Sequence, residues 1–599
     1  MANNHQISKT LLQLADLLEF TGANPFRLKA YRNGARVIAE WPESLAKMVA
    51  DQHDLTQIDG IGKSVAEKCE ELVNTGKLQQ LDDLLKKVPA TVLDLMNVPK
   101  LGPKKAATLF SKLGIETLPQ LKQACLDGKV RTLAGFGEKT ETAILDGIEI
   151  AQAANQRILW ATADKLVQRL RSHFQQSPDI EQLEFAGSYR RGKETVGDLD
   201  ILVVSNAPSK VMDHFAKFPE ITSTFARGDT KMSVRIEDEF QIDLRVVPAD
   251  SFGAALQYFT GSKEHNVIVR SKAKQLGLKI NEWGVYQVEE PSSAASDRVA
   301  VDDQSHSRSP IDDLEKPIAG ATEADVYQAV GLPWIPPELR EARREFDWAA
   351  ADQLPDLITI DAIQGDLHMH TTASDGQATI EQMADAARRR GLRYIAITDH
   401  SQRVSVANGL TAERLLAQWD QIDRINQNAD EDFMILKGIE CDILENGEMD
   451  LPDDVLAQAD WVIASLHFGQ TQPSQQITDR LLNAIHHPGV NLIAHPTGRL
   501  LNKREPYLFD LEVVFQAVKA QGKLLELNAN PRRLDLNDTH LAIAKSMGIR
   551  IIINTDAHRI EGFDDLQYGI KQARRGGLTA VDVANTLPLK ELQRLLSPG

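Results

Sequence analysis

Only three cysteines, Cys69, Cys125 and Cys441, occur in 599 residues, and they lie far apart in the chain. That spacing excludes a disulfide framework and fits a reducing cytoplasm. No apolar run approaches the roughly 18 residues of a membrane span, so no membrane partner is expected. The N-terminus, "MANNHQISKT", lacks the basic-then-apolar form of a secretion signal. Positive charge is also scarce overall. The net charge of −18 speaks at first against a nucleic-acid partner. The shortage is local, however. Residues 1–290 are close to charge balance, whereas 291–599 hold 30 basic and 47 acidic side chains. The first half can carry basic patches, and the second has acids to spare as ligands. The length allows roughly three to five domains.

Residues 1–150 read as helices joined by short turns, and one pattern recurs between them: an apolar residue, Gly-x-Gly, then a helix. It occurs as "IDGIGKSVAEK" (Gly60, Gly62, Lys63), "VPKLGPKKAATLF" (Gly102, Lys104) and "LAGFGEKTETAIL" (Gly135, Gly137). Glycines let such a turn approach a phosphate closely, and the free N–H groups of the following helix bind the anion. These stretches resemble helix-hairpin-helix motifs, which implies contacts to the DNA backbone. A plain connection between helices is the alternative. In the second copy Lys100 replaces the first glycine, which predicts a weaker grip.

From 183 the period switches to two. "LEFAGSYRRGKETVGDLDILVVS" and "FQIDLRVV" read as strands. Asp198 and Asp200 are two apart, so both point to one face of a strand, and Asp243 sits on another apolar strand that can lie beside it. Three carboxylates on one face repel each other unless cations sit between them, and hard oxygen ligands suit Mg²⁺. Two such ions serve phosphoryl transfer. Three solvated strand acids are the plain alternative. Residues 287–317 are Ser/Asp-rich and aperiodic and read as a flexible loop, with His306 a solvated loop residue.

"GSYRRGKETVGDLDIL", "IDLRVVP" and "YFTGSKEHNVIVR" resemble the nucleotidyltransferase core of the family X DNA polymerases, the group that contains DNA polymerase beta. The resemblance runs from about 5 to 345 and includes "NPFRLKAYRNGARVI", "NTGKLQQL" and "INEWGVY". It implies that Asp198, Asp200 and Asp243 hold two Mg²⁺ ions, with Asp243 nearest the primer 3′-hydroxyl. It places Ser188, Arg191 and Gly197 at the triphosphate of a deoxynucleoside triphosphate. Tyr258, Phe259 and Gly261 would line the sugar pocket, Asn266 the base and Arg270 the template. The chain departs from DNA polymerase beta at Val196, Lys263 and Gln241, where that enzyme has serine, aspartate and arginine. These departures bear on triphosphate affinity and selectivity, while the carboxylates are intact. Lys68, in "GKSVAEKCEEL", matches a lysine that forms a Schiff base with the sugar at an abasic site. That chemistry needs a neutral amine, and Lys63, Arg27 and Lys29 could supply the cationic field. A surface lysine on an amphipathic helix is the plain alternative.

A second centre is announced by "GDLHMHTTASDG". His368 and His370 face one way on a strand, with Asp375 just beyond. Downstream, apolar runs end repeatedly in a metal-type ligand: "RYIAITDH" (His400), "FMILKGIECD" (Glu440), "WVIASLH" (His467), "VNLIAHP" (His495) and "IRIIINTDAH" (Asp556, His558). With "KLLELNAN" these make seven strand-like segments alternating with helical ones, which implies a parallel sheet or barrel whose C-terminal strand ends converge. His486 and His487, before Pro-Gly, read as helix-end residues. This half resembles the PHP (polymerase and histidinol phosphatase) domain. The resemblance implies a seven-stranded barrel with up to three Mn²⁺ or Zn²⁺ ions, or Fe, acting on phosphodiesters. Imidazole with carboxylate suits such ions better than Mg²⁺. Arg499 and Arg532 could stabilise phosphate charge or be structural, and Asn528 could line the site.

The expected architecture is therefore multidomain α+β and α/β: a helical lyase-like domain (1–85), fingers with helix-hairpin-helix motifs (86–150), a nucleotidyltransferase palm (151–250), a thumb (251–345), a linker (346–357) and a distorted β/α barrel (358–599). The expected function is short-gap DNA synthesis in repair by a monomer on gapped or primed DNA, with 3′–5′ exonuclease in the barrel and abasic-site cleavage as a further activity to test there. Two rivals are a nuclease whose polymerase module only binds DNA, and a small-molecule phosphatase such as histidinol phosphatase.

Overall fold

The computed structural model describes residues 4–41, 44–96, 98, 101–154, 157–237, 240–288, 316–428 and 432–596. Lys100, His306 and most of the expected loop at 287–317 lie outside these residues. No helix among the described residues is long and apolar enough to cross a membrane. The chain forms two compact units. One joins Met1–Asn155 with Leu357–Gly599, and the other is Gln156–Asp356.

In the helical region, Asn4–Phe20 buries Ile7, Leu11, Leu14 and Leu18, the three- and four-residue spacing of one helix face. The three Gly-x-Gly turns share one hydrogen-bond plan. The N–H groups of Ile61, Leu101 and Phe136 each donate to the carbonyl three residues back, at Ile58, Val98 and Leu133. Gly62 and Gly102 then cap the helices Lys63–Thr75 and Pro103–Leu113 in extended conformation. Gly60 and Gly135 adopt φ of +90° and +86°. A Cβ at Gly60 would stand 2.8 Å from Val37 Cγ2, so both backbone and space demand glycine there. The third helix, Glu138–Ala154, runs past the boundary expected at 150. The helical region also touches the barrel, where the Ser44 N–H donates to the Glu512 carboxylate.

The second unit is built on five strands: β1 (Gln182–Phe185), β2 (Asp198–Val204), β3 (Ser223–Arg227), β4 (Lys231–Arg235) and β5 (Gln241–Val247), ordered β1-β2-β5-β4-β3. Alternation along β2 sends Leu199, Ile201 and Val203 to a core with Leu166, Leu170 and Phe174. Leu202 and Val204 face the opposite layer with Phe252, Ala255 and Leu256. Residues 346–350 are not a bare linker. They belong to a helix, Glu345–Ala350, that packs on the thumb. There His265 is fully buried, with Nδ1 2.9 Å from Glu345 and its ring stacked on Phe346 at 4.8 Å. The prolines at 333–337 mask this in the sequence, because the burial depends on a partner 80 residues away.

The barrel has seven parallel strands in sequence order: β6 (Gly365–Asp366), β7 (Tyr394–Ile397), β8 (Met434–Asp442), β9 (Trp461–Ser465), β10 (Leu492–Ile493), β11 (Leu524–Asn528) and β12 (Ile551–Asn554). A parallel bridge between Met369 and Ala557 brings the two edges together. Leu367, Tyr394, Leu436, Trp461, Ile463, Leu492, Leu524 and Ile552 form an apolar plug, against which Leu589, Leu592 and Leu596 pack. Further along the same inward faces, residues turn polar: Leu524 gives way to Glu526 and Asn528. The apolar floor thus leaves one end of the barrel for chemistry.

Candidate active sites in the palm and the barrel

In the palm, Asp200 and Asp243 are direct register partners on β2 and β5, and Asp198 lies on the same face of β2. Burial and the charges of Asp198 and Asp243 push the Asp200 carboxyl up to about 7. Asp198 is raised by burial and by Asp243, against the pull of Arg157 and Arg191. Acids that resist ionising together are fitted for a divalent countercharge. Asp243 accepts from the Ser233 hydroxyl, and from Gln241 Nε2 at 3.1 Å. Gln241, the departure from arginine, thus still serves that carboxylate. Gly187 has φ +64°, and a Cβ there would stand 2.8 Å from Asp200 Oδ2, so the glycine of "GSYR" admits the carboxylate.

Around this basin the Ser188 hydroxyl is buried without a hydrogen-bond partner among the described residues, which suits an anion subsite. Arg191 donates to Glu341 at 3.0 Å and to the Thr260 carbonyl. A Cβ on Gly197 would stand 3.0 Å from Arg157 Nη1. Arg157 is a neighbour of Asp198 that the sequence did not reveal. It arrives through the pairing of Ile158–Leu159 with Thr195–Val196, a tertiary event with no local signal. Tyr258 and Phe259 pack edge to face at 5.0 Å, and Arg245 covers Phe259 at 4.4 Å. Gly261, at φ +68°, adjoins Arg191. Asn266 donates to the Tyr258 carbonyl at 2.8 Å and accepts from Gln257 at 2.8 Å, so both ends of its amide are engaged within the thumb. Arg270 is exposed.

In the other unit, Lys68 Nζ lies 2.8 Å from Glu71 and lines a cleft with Gln79, Gln80, Asp83 and Lys87. Arg27 reaches Gln80 across that cleft at 3.0 Å. Lys63 and Lys29 are exposed.

All nine expected barrel ligands meet at one end of the barrel. Three groups have donor atoms close enough to share an ion: His370, Asp375, His400 and His558; His368, His370 and Asp556; and His400, Glu440 and His467. His495 joins them through Nε2, 3.0 Å from Glu440. Buried His368 Nε2, both nitrogens of His370, His400 Nδ1, Glu440 Oε2 and His495 Nδ1 lack hydrogen-bond partners among the described residues. His400 Nδ1 and Glu440 Oε2 lie 2.7 Å apart, yet without hydrogen-bond alignment. So many converging unpaired donors fit metal ions and little else. Burial and the neighbouring His558 and His400 hold His370 down at about 3, which leaves a neutral imidazole for ligation. Burial opposes charge on His558, but Asp375 and Asp556 prevail and raise it to about 9. Two ligands sit at left-handed backbone, His495 at φ +28° and Asp556 at φ +54°, a strain that recurs at functional sites.

The two arginines suggested by the sequence are placed differently. Arg499 is buried and donates to the Leu534 carbonyl, and Arg532 is exposed. Arg533 is the one that turns inward, 3.7 Å from Asp556 Oδ2. In "NPRRL" adjacent arginines point apart, and only the turn geometry chooses between them. Asn528 does line the site, donating to Asp556 at 3.1 Å. Glu526 and Asp442, both fully buried, were missed. Glu526 lies 2.7 Å from His368 Nδ1, and Asp442 lies 3.1 Å from His467 Nδ1. Their strand positions, two residues from Asn528 and from Glu440, were the available signal. His486 and His487 sit at the end of the helix Ser474–His486, outside all three ligand groups.

Family models match consecutive parts of the chain: a helix-hairpin-helix domain over 2–78, a SAM-like helix-hairpin-helix tandem over 92–149, DNA polymerase beta palm over 157–232, DNA polymerase beta thumb over 255–341, and a PHP domain over 366–530. The DNA polymerase/3′-5′ exonuclease PolX of Bacillus subtilis (strain 168) is 39% identical over 592 residues, 98% of each chain. A probable phosphatase of Thermoanaerobacter sp. (strain X514) is 33% identical over 233 residues, 37% of this chain and 89% of its own. Another, from Caldanaerobacter subterraneus subsp. tengcongensis, is 36% identical over 205 residues, 32% of this chain and 75% of its own.

Proposed function

The chain belongs to the PolX family of DNA polymerase/3′-5′ exonucleases, and from that premise we propose how its two sites divide the work. It is a DNA polymerase that uses deoxynucleoside triphosphates and divalent metals, and its PHP domain is the exonuclease module. Asp198, Asp200 and Asp243 hold two Mg²⁺ ions. The observation that carries this reading is the register of Asp200 with Asp243, with Asp198 on the same face. When bound, the ions supply Lewis acidity to the attacking and leaving oxygens. Asp243 takes the proton of the primer 3′-hydroxyl, and Ser233 with Gln241 holds its carboxylate in place. Ser188, Arg191 and Gly197 receive the triphosphate, Tyr258, Phe259 and Gly261 the sugar, Asn266 the base and Arg270 the template. Gly60, Gly62, Lys63, Gly102, Lys104, Gly135 and Gly137 grip the DNA backbone through the three turns.

In the barrel the nine proposed ligands would hold up to three Mn²⁺ or Zn²⁺ ions, which would supply a nucleophilic water near neutral pH. Arg533 holds the scissile phosphate. The protein trims a 3′ end and then fills the gap, as a monomer in the cytoplasm, which gel filtration of free and DNA-bound protein tests. The two-site reading is tested by primer extension with Mg²⁺ and 3′-end hydrolysis with Mn²⁺ on one preparation. Failure of extension would sink the palm assignment. The phosphatase reading is weaker, because those relatives cover only about a third of the chain, and turnover of histidinol phosphate against single-stranded DNA decides it.

Lys68 is the lyase nucleophile in this reading, once its contact with Glu71 opens. Borohydride trapping on an abasic substrate tests it, and trapping that persists in Lys68→Ala refutes it.

A further inference from the structure

Six of the seven barrel strands end in a proposed ligand, and β11 does not. It contributes Glu526, which no motif marks, to the inner face directly below the cluster. The Glu526 carboxylate is fully buried and accepts four hydrogen bonds, two on each oxygen. Oε1 takes His368 Nδ1 at 2.7 Å and Asn554 Nδ2 at 3.0 Å. Oε2 takes the His495 N–H at 2.7 Å and Asn528 Nδ2 at 3.2 Å. Each of these donors leads to a ligand or a ligand-bearing segment. His368 and His495 are ligands themselves. The same Asn528 amide nitrogen donates to Asp556 Oδ2 at 3.1 Å. Asn554 accepts from the Leu367 N–H at 2.9 Å, next to His368. One carboxylate therefore ties together the segments after β6, β10 and β12.

We propose that Glu526 is a positioning residue that sets the His368 tautomer and fixes the ion site made by His368, His370 and Asp556. With Nδ1–H committed to Glu526, the lone pair of His368 Nε2 must face the cluster, where it lies 3.5 Å from Glu440 and 3.6 Å from Asp556. An outer carboxylate that fixes a histidine in this way strengthens metal binding. The amide of a glutamine could not serve four donors, since its nitrogen would confront two of them. Asp442 has the corresponding place beside His467, in a different ligand group, and provides an internal contrast.

This inference rests on reading the cluster as a metal centre, and the experiment separates the two. Wild type, Glu526→Gln and Asp442→Asn are stripped with chelator and reloaded with Mn²⁺. Bound metal is then measured by elemental analysis and titration calorimetry, and primer extension by the same preparations reports folding. Glu526→Gln is expected to weaken one class of Mn²⁺ site about 10- to 100-fold, and Asp442→Asn to weaken a different one. Wild type that binds no Mn²⁺ in the barrel would overturn the metal reading and this inference with it. A folded Glu526→Gln that loads like wild type would overturn only the role of Glu526. Should Glu526→Gln fail to fold, Glu526→Asp keeps the charge but shortens its reach. It is expected to lose the same site to a smaller degree, and unchanged Mn²⁺ affinity in it overturns the proposal.

Discussion

The palm and the barrel present cations with opposite settings. The palm offers three carboxylates from two adjacent strands, with Asp243 held by Ser233 and Gln241. The barrel offers nine ligands from six strands, most of them buried, with Glu526 and Asp442 orienting two of the histidines. An open, oxygen-only basin suits ions that come and go with each nucleotide. A closed imidazole cluster with supporting carboxylates suits ions that stay. Ligand number and bracing, more than the kind of donor alone, distinguish the two proposed sites.

The largest expected effect breaks the comparison cleanly. Asp200→Ala should lower primer extension by about 10³-fold or more while leaving 3′-end hydrolysis intact, and His370→Ala should do the reverse. Parallel assays check it, and loss of both activities in either variant would contradict separate sites. Next, Arg533→Ala should slow hydrolysis about 10- to 100-fold, the scale of a lost charged hydrogen bond, with Arg532→Ala near wild type. An equal effect of the two would remove the assignment of the inward arginine.

Proton competition sharpens the contrast further. Asp200 is held up at about 7, so the proton it carries at lower pH must leave before Mg²⁺ binds. Apparent Mg²⁺ affinity in the palm should rise about tenfold per pH unit and level off near pH 7. In the barrel His370, near 3, is already unprotonated, but His558 near 9 is not. Mn²⁺ affinity there should go on rising towards pH 9. Calorimetry of Asp200→Ala and His370→Ala across pH 5–9 reads the two curves separately, and coincident curves would contradict it. The smallest effect concerns the helical region. Gly60→Ala forces a Cβ into Val37 at positive φ, which costs about 1–3 kcal/mol locally. With two turns left, DNA affinity should fall only roughly threefold, at both sites alike.

The proposed ligands could be read from the sequence because strands and motifs are local. Period-two alternation put Asp198 and Asp200 on one face, and apolar runs ending in His or Asp marked the barrel rim. The bracing residues were not legible. Glu526 and Asp442 look in the sequence like ordinary strand acids, nothing local marks Arg157, and the sequence reading favours Arg532 where the structure turns Arg533 inward. The helix Glu345–Ala350 read as a linker because its reason for folding, His265, lies 80 residues upstream.

By itself the sequence determined the order of modules, the three glycine turns and the twelve proposed metal ligands, because backbone periodicity, glycine φ and ligand chemistry are properties of short stretches. Only the tertiary structure decided which acids brace which histidines, which arginine faces the cluster and where the linker folds. Those choices depend on burial and hydrogen bonding between segments up to 158 residues apart, the separation of His368 and Glu526, and no short stretch carries that information.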